Sequence, residues 1–200
     1  MRLMRPSWEG AAALPDDAPP DAELWARGDE RAFGELYDRY AEAVWNHAYR
    51  LTASWSTAED LTSATFMTAW RRRGQVTLVR DSALPWLFTV AGYLARSEFR
   101  RRTRFTRLLT RVPRNDVQGD HAEEVVSALD HEARLSQVLR AVDRLPRAER
   151  EAVELVLLGE LTTAEAAEAL GVAEVSVRSR LSRARSRLRK VLSDDTLEVE

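Results

Sequence analysis

The chain has 200 residues, 44% hydrophobic and 31% charged, which suits one medium domain or two small ones and leaves little room for a large barrel or a doubly wound enzyme. It has no cysteine and three scattered histidines, His47, His121 and His131, so disulfides, thiolate zinc sites and cysteine nucleophiles are excluded and a metal site is not expected. No stretch reaches the roughly 20 apolar residues of a membrane span, and Met1 to Gly10 lacks the apolar core of a signal peptide, so membrane insertion is not expected and the cytoplasm is the expected location.

The formal net charge of −2 conceals a segregation along the chain. Residues 1–70 carry 6 basic and 12 acidic side chains, 71–114 carry 12 and 2, 115–175 carry 5 and 14, 176–190 carry 7 and 0, and 191–200 carry 0 and 4. Two basic blocks separated by an acidic one are the pattern of a chain that grips a polyanion at two places. All the basic residues except Lys190 are arginine, whose planar fork suits phosphate.

In chain order, Pro6, Pro15, Pro19 and Pro20 among alanines and acids mark residues 1–21 as a mobile arm. Helical spacing begins after Asp29, a candidate N-cap, with Phe33, Leu36, Tyr37, Tyr40, Val44 and Leu51 on one side. Ser56-Thr57-Ala58-Glu59 fits a capping box for a second helix to about Arg72, with Ala58, Leu61, Thr65, Phe66 and Ala69 inward. Gly74 to Ser82 reads as a loop, because no partner strand is visible for it. Pro85 opens a third helix whose first half is apolar nearly all round; Gly92 within it costs about 1 kcal/mol against alanine, and a close backbone approach is one reason to keep it.

After Pro113 the chain turns polar and acidic, a flexible linker over 108–131. A second unit over 132–192 follows. Leu135, Val138, Leu139, Val142 and Leu145 share a face; Ala148 to Leu158 forms the next helix, ended by Gly159; Thr162-Thr163-Ala164-Glu165 caps a short helix to Leu170; and Gly171 turns into a last helix from about Ala173 to Leu192. Residues 193–200 are an acidic tail. The expected fold is all-α: two small helical domains joined by a flexible acidic linker, the second containing a helix-turn-helix.

The clearest functional signal is the pair of helices around Gly171. At about 100° per residue, Val177, Leu181, Ala184, Leu188 and Val191 form an inward stripe. Ser179, Ser182 and Ser186 run down the opposite face, flanked by Arg180, Arg183 and Arg187 on one side and Arg178, Arg185 and Arg189 on the other. Small hydroxyls let base edges approach while arginines reach the phosphate walls of a major groove. Ser176, Arg178, Ser179 and Arg180 are the best base-contact candidates, since recognition helices present their N-terminal end. The bland alternative is a solvated basic helix closing a bundle.

In the first unit, Asp60, Ser63, Ala64 and Met67 face outward on the second helix with Glu59 and Trp70 at the margin, either a docking surface or a solvated helix with one stray methionine. The third helix sets Trp86, Tyr93, Arg96 and Arg100 along one side, a pattern that stacks on unpaired bases and neutralises phosphate, or else a core tryptophan with snorkelling arginines.

With these motifs in order, residues 22–192 resemble the bacterial sigma-70 family in its short, extracytoplasmic-function (ECF) form, which keeps regions 2 and 4 joined by a linker. The resemblance is carried by Ala58-Glu59-Asp60-Leu61-Thr62-Ser63-Ala64-Thr65-Phe66 with Ala69-Trp70, by Leu84-Pro85-Trp86-Leu87-Phe88 and the arginines after it, by Leu145-Pro146-Arg147-Ala148-Glu149-Arg150, and by the run from Gly171 to Arg185. Many relatives carry Gln-Glu in place of Ser63-Ala64, and often Asn at Tyr93 and Asp at Ser97.

The resemblance implies a promoter-specificity subunit without catalytic residues or cofactor. Its 22–107 domain would be region 2, in which Glu59, Asp60, Ser63, Met67 and Trp70 dock on the β′ clamp helices of core RNA polymerase. Trp86, Tyr93, Arg96, Arg100 and Arg101, with the 74–82 loop, would recognise and open the −10 element. The 132–192 domain would be region 4, reading the −35 element through Ser176, Arg178, Ser179, Arg180 and Arg183 and touching the β flap. An anti-sigma factor is an expected further partner. The alternative is an autonomous helix-turn-helix regulator acting as a dimer, and an enzyme is disfavoured because Glu59 and Asp60 point about 100° apart.

Overall fold

A computed structural model describes residues 19–78, 82–109, 135 and 137–197, with backbone alone at 102–109 and 192–197. The expected N-terminal arm (but for its last residues), the linker (but for 108–109, which end a helix) and the end of the acidic tail fall outside the described residues. Among those described every regular element is helical.

The first unit holds α1 (Asp21–Arg27), α2 (Glu30–Thr52), α3 (Trp55–Arg72) and α4 (Leu84–Leu109). Helix α1 was not expected, because Pro19 and Pro20 read as disorder. It forms because Asp21, only 1% exposed, pairs with Arg39 and accepts hydrogen bonds from Tyr40 Oη at 2.6 Å and from the Ala83 amide at 2.7 Å. Gly28 ends it in the left-handed region at φ 57°, and Asp29 caps α2 by accepting from the Ala32 amide at 2.8 Å.

Helix α3 starts earlier than its sequence suggests. Its cap is Ser54, which accepts from the Thr57 amide, and not Ser56. The reason is that Ala53 already closes α2 at φ 49°, and Trp55 then packs edge-on against Trp45 at 4.5 Å, drawing the chain straight into the next helix. Thr62, Thr65 and Thr68 sit inside α3 because each hydroxyl donates to the carbonyl four residues back, at 2.7 to 2.8 Å.

The second unit comprises a helical segment over 137–143 (α5), α6 (Arg147–Val153), α7 (Thr163–Leu170) and α8 (Glu174–Leu197). Val142 and Leu145 are buried as expected, whereas Val138 is exposed. The expected single helix from Ala148 to Leu158 is α-helical to Val153 and widens into a π turn over Glu154–Leu158. Thr162 and Glu165 form the full reciprocal capping box of α7. Helix α8 runs past the expected Leu192 to Leu197, into the segment read as a tail.

The two units share one core: Leu24, Leu36, Val44, Phe66, Leu87 and Phe88 of the first belong to the same cluster as Val142, Val153, Leu155, Val177 and Leu181 of the second. The seam lies between α2 and α4 on one side and the π turn on the other. There His47 stacks on Phe88 at 4.2 Å, Arg50 donates to the Leu158 carbonyl at 3.1 Å and pairs with Glu160 at 2.8 Å, and Arg96 pairs with Glu154 and, at 3.9 Å, with Glu151.

Candidate functional site

On α3, Glu59, Asp60, Ser63 and Met67 are exposed, Met67 at 52%. Trp55 Nε1 donates to Glu59 at 3.0 Å and so fixes the first acid. Trp70 is half-buried, edge-on to Phe33 at 5.2 Å with the Arg73 guanidinium 3.6 Å over its ring. Ser63, Met67 and Trp70, but not Glu59 or Asp60, wall a groove of about 600 Å³ between α2 and α3, lined also by Phe33, Tyr37 and Phe66 and rimmed by Glu30 and Asp38. The sequence assigned Phe33 and Tyr37 only to the core face of α2. Their i, i+4 spacing opposite the α3 stripe is the signal that they line the groove.

Along α4 the candidates separate. Tyr93, 59% exposed, and the exposed Arg100 and Arg101 lie on the open face, Arg101 paired with Glu98 at 2.9 Å. Trp86 is half-buried against Trp25, ring centroids 5.4 Å apart. Arg96 is turned into the seam, its side chain 15% exposed between Glu151 and Glu154. Beside the chain from Gly74 to Leu78 opens a cleft of about 730 Å³ with a Trp25, Val76 and Leu78 floor and Arg27, Arg71 and Arg73 at its edge. Trp25 Nε1 donates to the Val76 carbonyl at 2.9 Å, so α1 shapes this cleft, a role its sequence did not reveal.

The α7–α8 pair forms the expected hairpin. Gly171 adopts φ 64°, a conformation open to glycine at little cost, and its amide reaches the Ala167 and Glu168 carbonyls. Val177, Leu181 and Ala184 are buried, while Arg178, Ser179, Ser182, Arg183 and Ser186 are exposed and Ser176 and Arg180 half-buried. Arg178 donates to Glu174 at 2.6 Å, and Glu174 also accepts from Thr163, tying the recognition candidate to the start of α7. Arg183 donates to Ser179 Oγ at 3.0 Å.

Electrostatics differ between seam and surface. Burial pushes the Glu154 carboxyl up to about 7, against the opposing pull of Arg96 and Arg150. Burial pulls His47 down to about 4, only partly offset by the Leu158 and Phe88 backbone. Tyr40 is raised to about 12 by burial and by its bond to Asp21. Among the described residues no group of three or more His, Asp or Glu side chains is arranged to hold a metal, and no described helix is long and apolar enough to cross a membrane.

Residues 36–105 match the Sigma-70 region 2 family and residues 135–188 match Sigma-70, region 4. The chain is 34% identical over 171 residues to the ECF RNA polymerase sigma factor BldN of Streptomyces coelicolor, covering 84% of this chain and 63% of that protein, slightly under two thirds of it. It is 32% identical over 160 residues to the ECF RNA polymerase sigma factor SigL of Mycobacterium tuberculosis, covering 80% of this chain and 88% of that protein. Among solved structures it is similar to CnrH in complex with the cytosolic domain of CnrY, with a TM-score of 0.59, 25% identity, and 88% and 98% of the two chains covered. It is also similar to the sigma factor RpoE in complex with the anti-sigma factor NepR from Bartonella quintana, with a TM-score of 0.53, 27% identity, and 82% and 98% covered. An acid-rimmed groove on one helical unit, a serine- and arginine-faced helix-turn-helix on the other, and both regions matched in order have one common account: the chain belongs to the sigma-70 family, in its extracytoplasmic-function group.

Proposed function

We infer that this chain is a promoter-specificity subunit of bacterial RNA polymerase: it binds the core enzyme, recognises the −35 and −10 elements and helps open the −10 region. It acts by binding alone, and in the cytoplasm. Residues 22–107 serve as the docking and −10 unit and residues 132–192 as the −35 unit, with 1–21, 108–131 and 193–200 as arm, linker and tail. Glu59, Asp60, Ser63, Met67 and Trp70 meet the β′ clamp helices, while the second unit also touches the β flap.

The observation that carries this reading is the α2–α3 groove, apolar within and acidic at its rim, with Met67 at 52% exposure. A dimeric regulator reading DNA through α8 would have no use for such a groove, whereas a docking subunit requires one. At the −10 element, Tyr93, Arg100 and Arg101 offer a stacking face and phosphate donors, with the cleft beside Gly74 to Leu78 to take an unstacked base. Trp86 supports that cleft through Trp25, and Arg96 reaches DNA once the second unit leaves α4. At the −35 element, Ser176, Arg178, Ser179, Arg180 and Arg183 enter the major groove. The anti-sigma partner in the RpoE structure supports one for this chain as well.

Co-elution of the purified chain with bacterial core RNA polymerase tests the reading, with Asp60→Arg alongside. Association of the wild type and loss in the variant are expected. Failure of the wild type to associate, together with tight, salt-sensitive binding to free duplex DNA, would overturn it in favour of the autonomous regulator.

A further inference from the structure

A buried carboxylate lies directly behind the reading face of α8. Glu149, in the first turn of α6, has a side chain only 7% exposed, yet both its oxygens face arginines of another helix. Oε1 lies 3.4 Å from Arg183 Nε and Oε2 lies 3.1 Å from Arg187 Nε. The two arginines are four residues apart, so they stand one above the other on the same flank of α8. Each approaches a carboxylate oxygen with its inner Nε at ion-pair distance, while its side chain stays 57% exposed; Oε2 accepts no hydrogen bond, so the Arg187 pairing is one of charge and proximity. Arg183 is held at a second point as well, since its Nη1 donates to Ser179 Oγ at 3.0 Å.

The arrangement is unlike the Arg178–Glu174 pair of the same helix. Arg178 and Glu174 form an i, i+4 pair with both side chains substantially exposed, a kind of pair that contributes little. A carboxylate out of water cannot give up its partners cheaply, so the Glu149 pairs fix where the two guanidinium groups sit. An arginine reading guanine needs two parallel donors at a fixed angle. With Nε turned toward Glu149, Arg183 offers the edge that carries its Nη atoms, beside the serine at the centre of the outward face.

We propose that Glu149 is a positioning residue for −35 recognition, holding Arg183 by its Nε so that the Nη edge is presented to a base next to Ser179, with Arg187 held in parallel against the phosphate wall. The proposal rests on α8 being the −35 helix. Glu149 touches no DNA itself and acts through Arg183.

The test uses the full chain assembled with core polymerase. A pool of duplexes randomised over the −35 region yields the preferred sequence, and affinities for that sequence and each single-base variant are then compared for wild type, Glu149→Gln, Arg183→Ala and the double variant. Glu149→Gln is expected to lower the preference about tenfold at one base pair, the same one affected by Arg183→Ala. The double variant should match Arg183→Ala alone. A purely structural clamp would instead weaken all sequences alike and leave their ratios intact, which would overturn the proposal, as would additive effects of the two changes. If Arg183→Ala itself leaves every ratio unchanged, the assignment of Arg183 as a base reader has failed and the proposal falls with it. Arg183→Lys supplies a second arm should Glu149→Gln fold poorly: it keeps the charge but loses the Nε and the fork, so it should lose the same preference while the salt dependence of binding is kept. A lysine variant that retains the preference would overturn the proposal.

Discussion

Gly92 of α4 lies directly beneath Glu154 of the π turn: a Cβ on Gly92 would stand 3.2 Å from Glu154 Oε2 and 3.4 Å from Arg96 Nη1. The seam between the two units is therefore built around a missing side chain. A second glycine faces it from the other side, since a Cβ on Gly159 would meet Phe88 at 2.9 Å and the Leu155 carbonyl at 2.6 Å. Gly34, in α2, would meet nothing within 4 Å. Alanine at these positions should act differently. Gly159→Ala is expected to destabilise the chain by about 1–3 kcal/mol through overpacking, and Gly34→Ala to stabilise it by up to about 1 kcal/mol through helix propensity. Denaturant unfolding of the two variants checks both signs.

The seam also holds two titrating groups with opposite pH dependence. His47, held down to about 4 by burial, binds fewer protons folded than unfolded between about pH 4 and 6.5, so its contribution makes stability rise with pH there. Glu154, pushed up to about 7 by burial amid Arg96, Arg150, Glu151 and Asp143, binds more protons folded than unfolded above pH 4.5, so its contribution makes stability fall up to about pH 7. Each is on the order of 3 kcal/mol, and they largely cancel. His47→Leu should therefore show stability falling from pH 4.5 to 7, and Glu154→Gln should show it rising. Urea midpoints across that range, set against a flatter wild type, check the pair.

Asp21 is the most heavily used buried carboxylate of the first unit, serving Arg39, Tyr40 and the Ala83 amide at once. Asp21→Ala leaves the Arg39 charge without its partner where its side chain is 9% exposed, and is expected to cost about 3–5 kcal/mol. Tyr40→Phe removes one bond and leaves the ion pair intact, so it should cost about 1 kcal/mol. Thermal unfolding of both variants separates the charge from the hydroxyl.

The two proposed binding surfaces should be separable by single changes. Met67→Arg places a charge in the apolar groove and is expected to lower core polymerase association at least tenfold while leaving the second unit folded. Arg178→Ala is expected to weaken −35 binding by about 1–3 kcal/mol and leave polymerase association unchanged. Co-elution and duplex-binding titrations on each variant give the four readouts.

Local periodicity and caps carried most of the fold. The Asp29 cap, the inward stripe of α3, the Thr162–Glu165 box and the Gly171 turn all depend on residues within one or two turns of each other, and all appear where the sequence puts them. What escaped depends on distant partners. Helix α1 is only 7 residues long and is held by Asp21 reaching Arg39 and Ala83. Arg96 has the spacing of an outward residue on α4 but finds carboxylates 55 and 58 positions away, which no helical wheel contains. One arginine of α4, Arg96, is met by Glu151 and Glu154 of the second unit, acids that the charge blocks grouped with the linker.

Helix α1 fastens both ends of the connection between α3 and α4, through Trp25 on Val76 near its start and Asp21 on Ala83 at its close. The family match, by contrast, begins only at residue 36, beyond α1. A fragment trimmed to that boundary would keep α3, α4 and most of α2 yet lose both fastenings, so a binding assay on it would probe an untethered connection and understate the selectivity for an opened strand that the proposed function assigns to the whole chain.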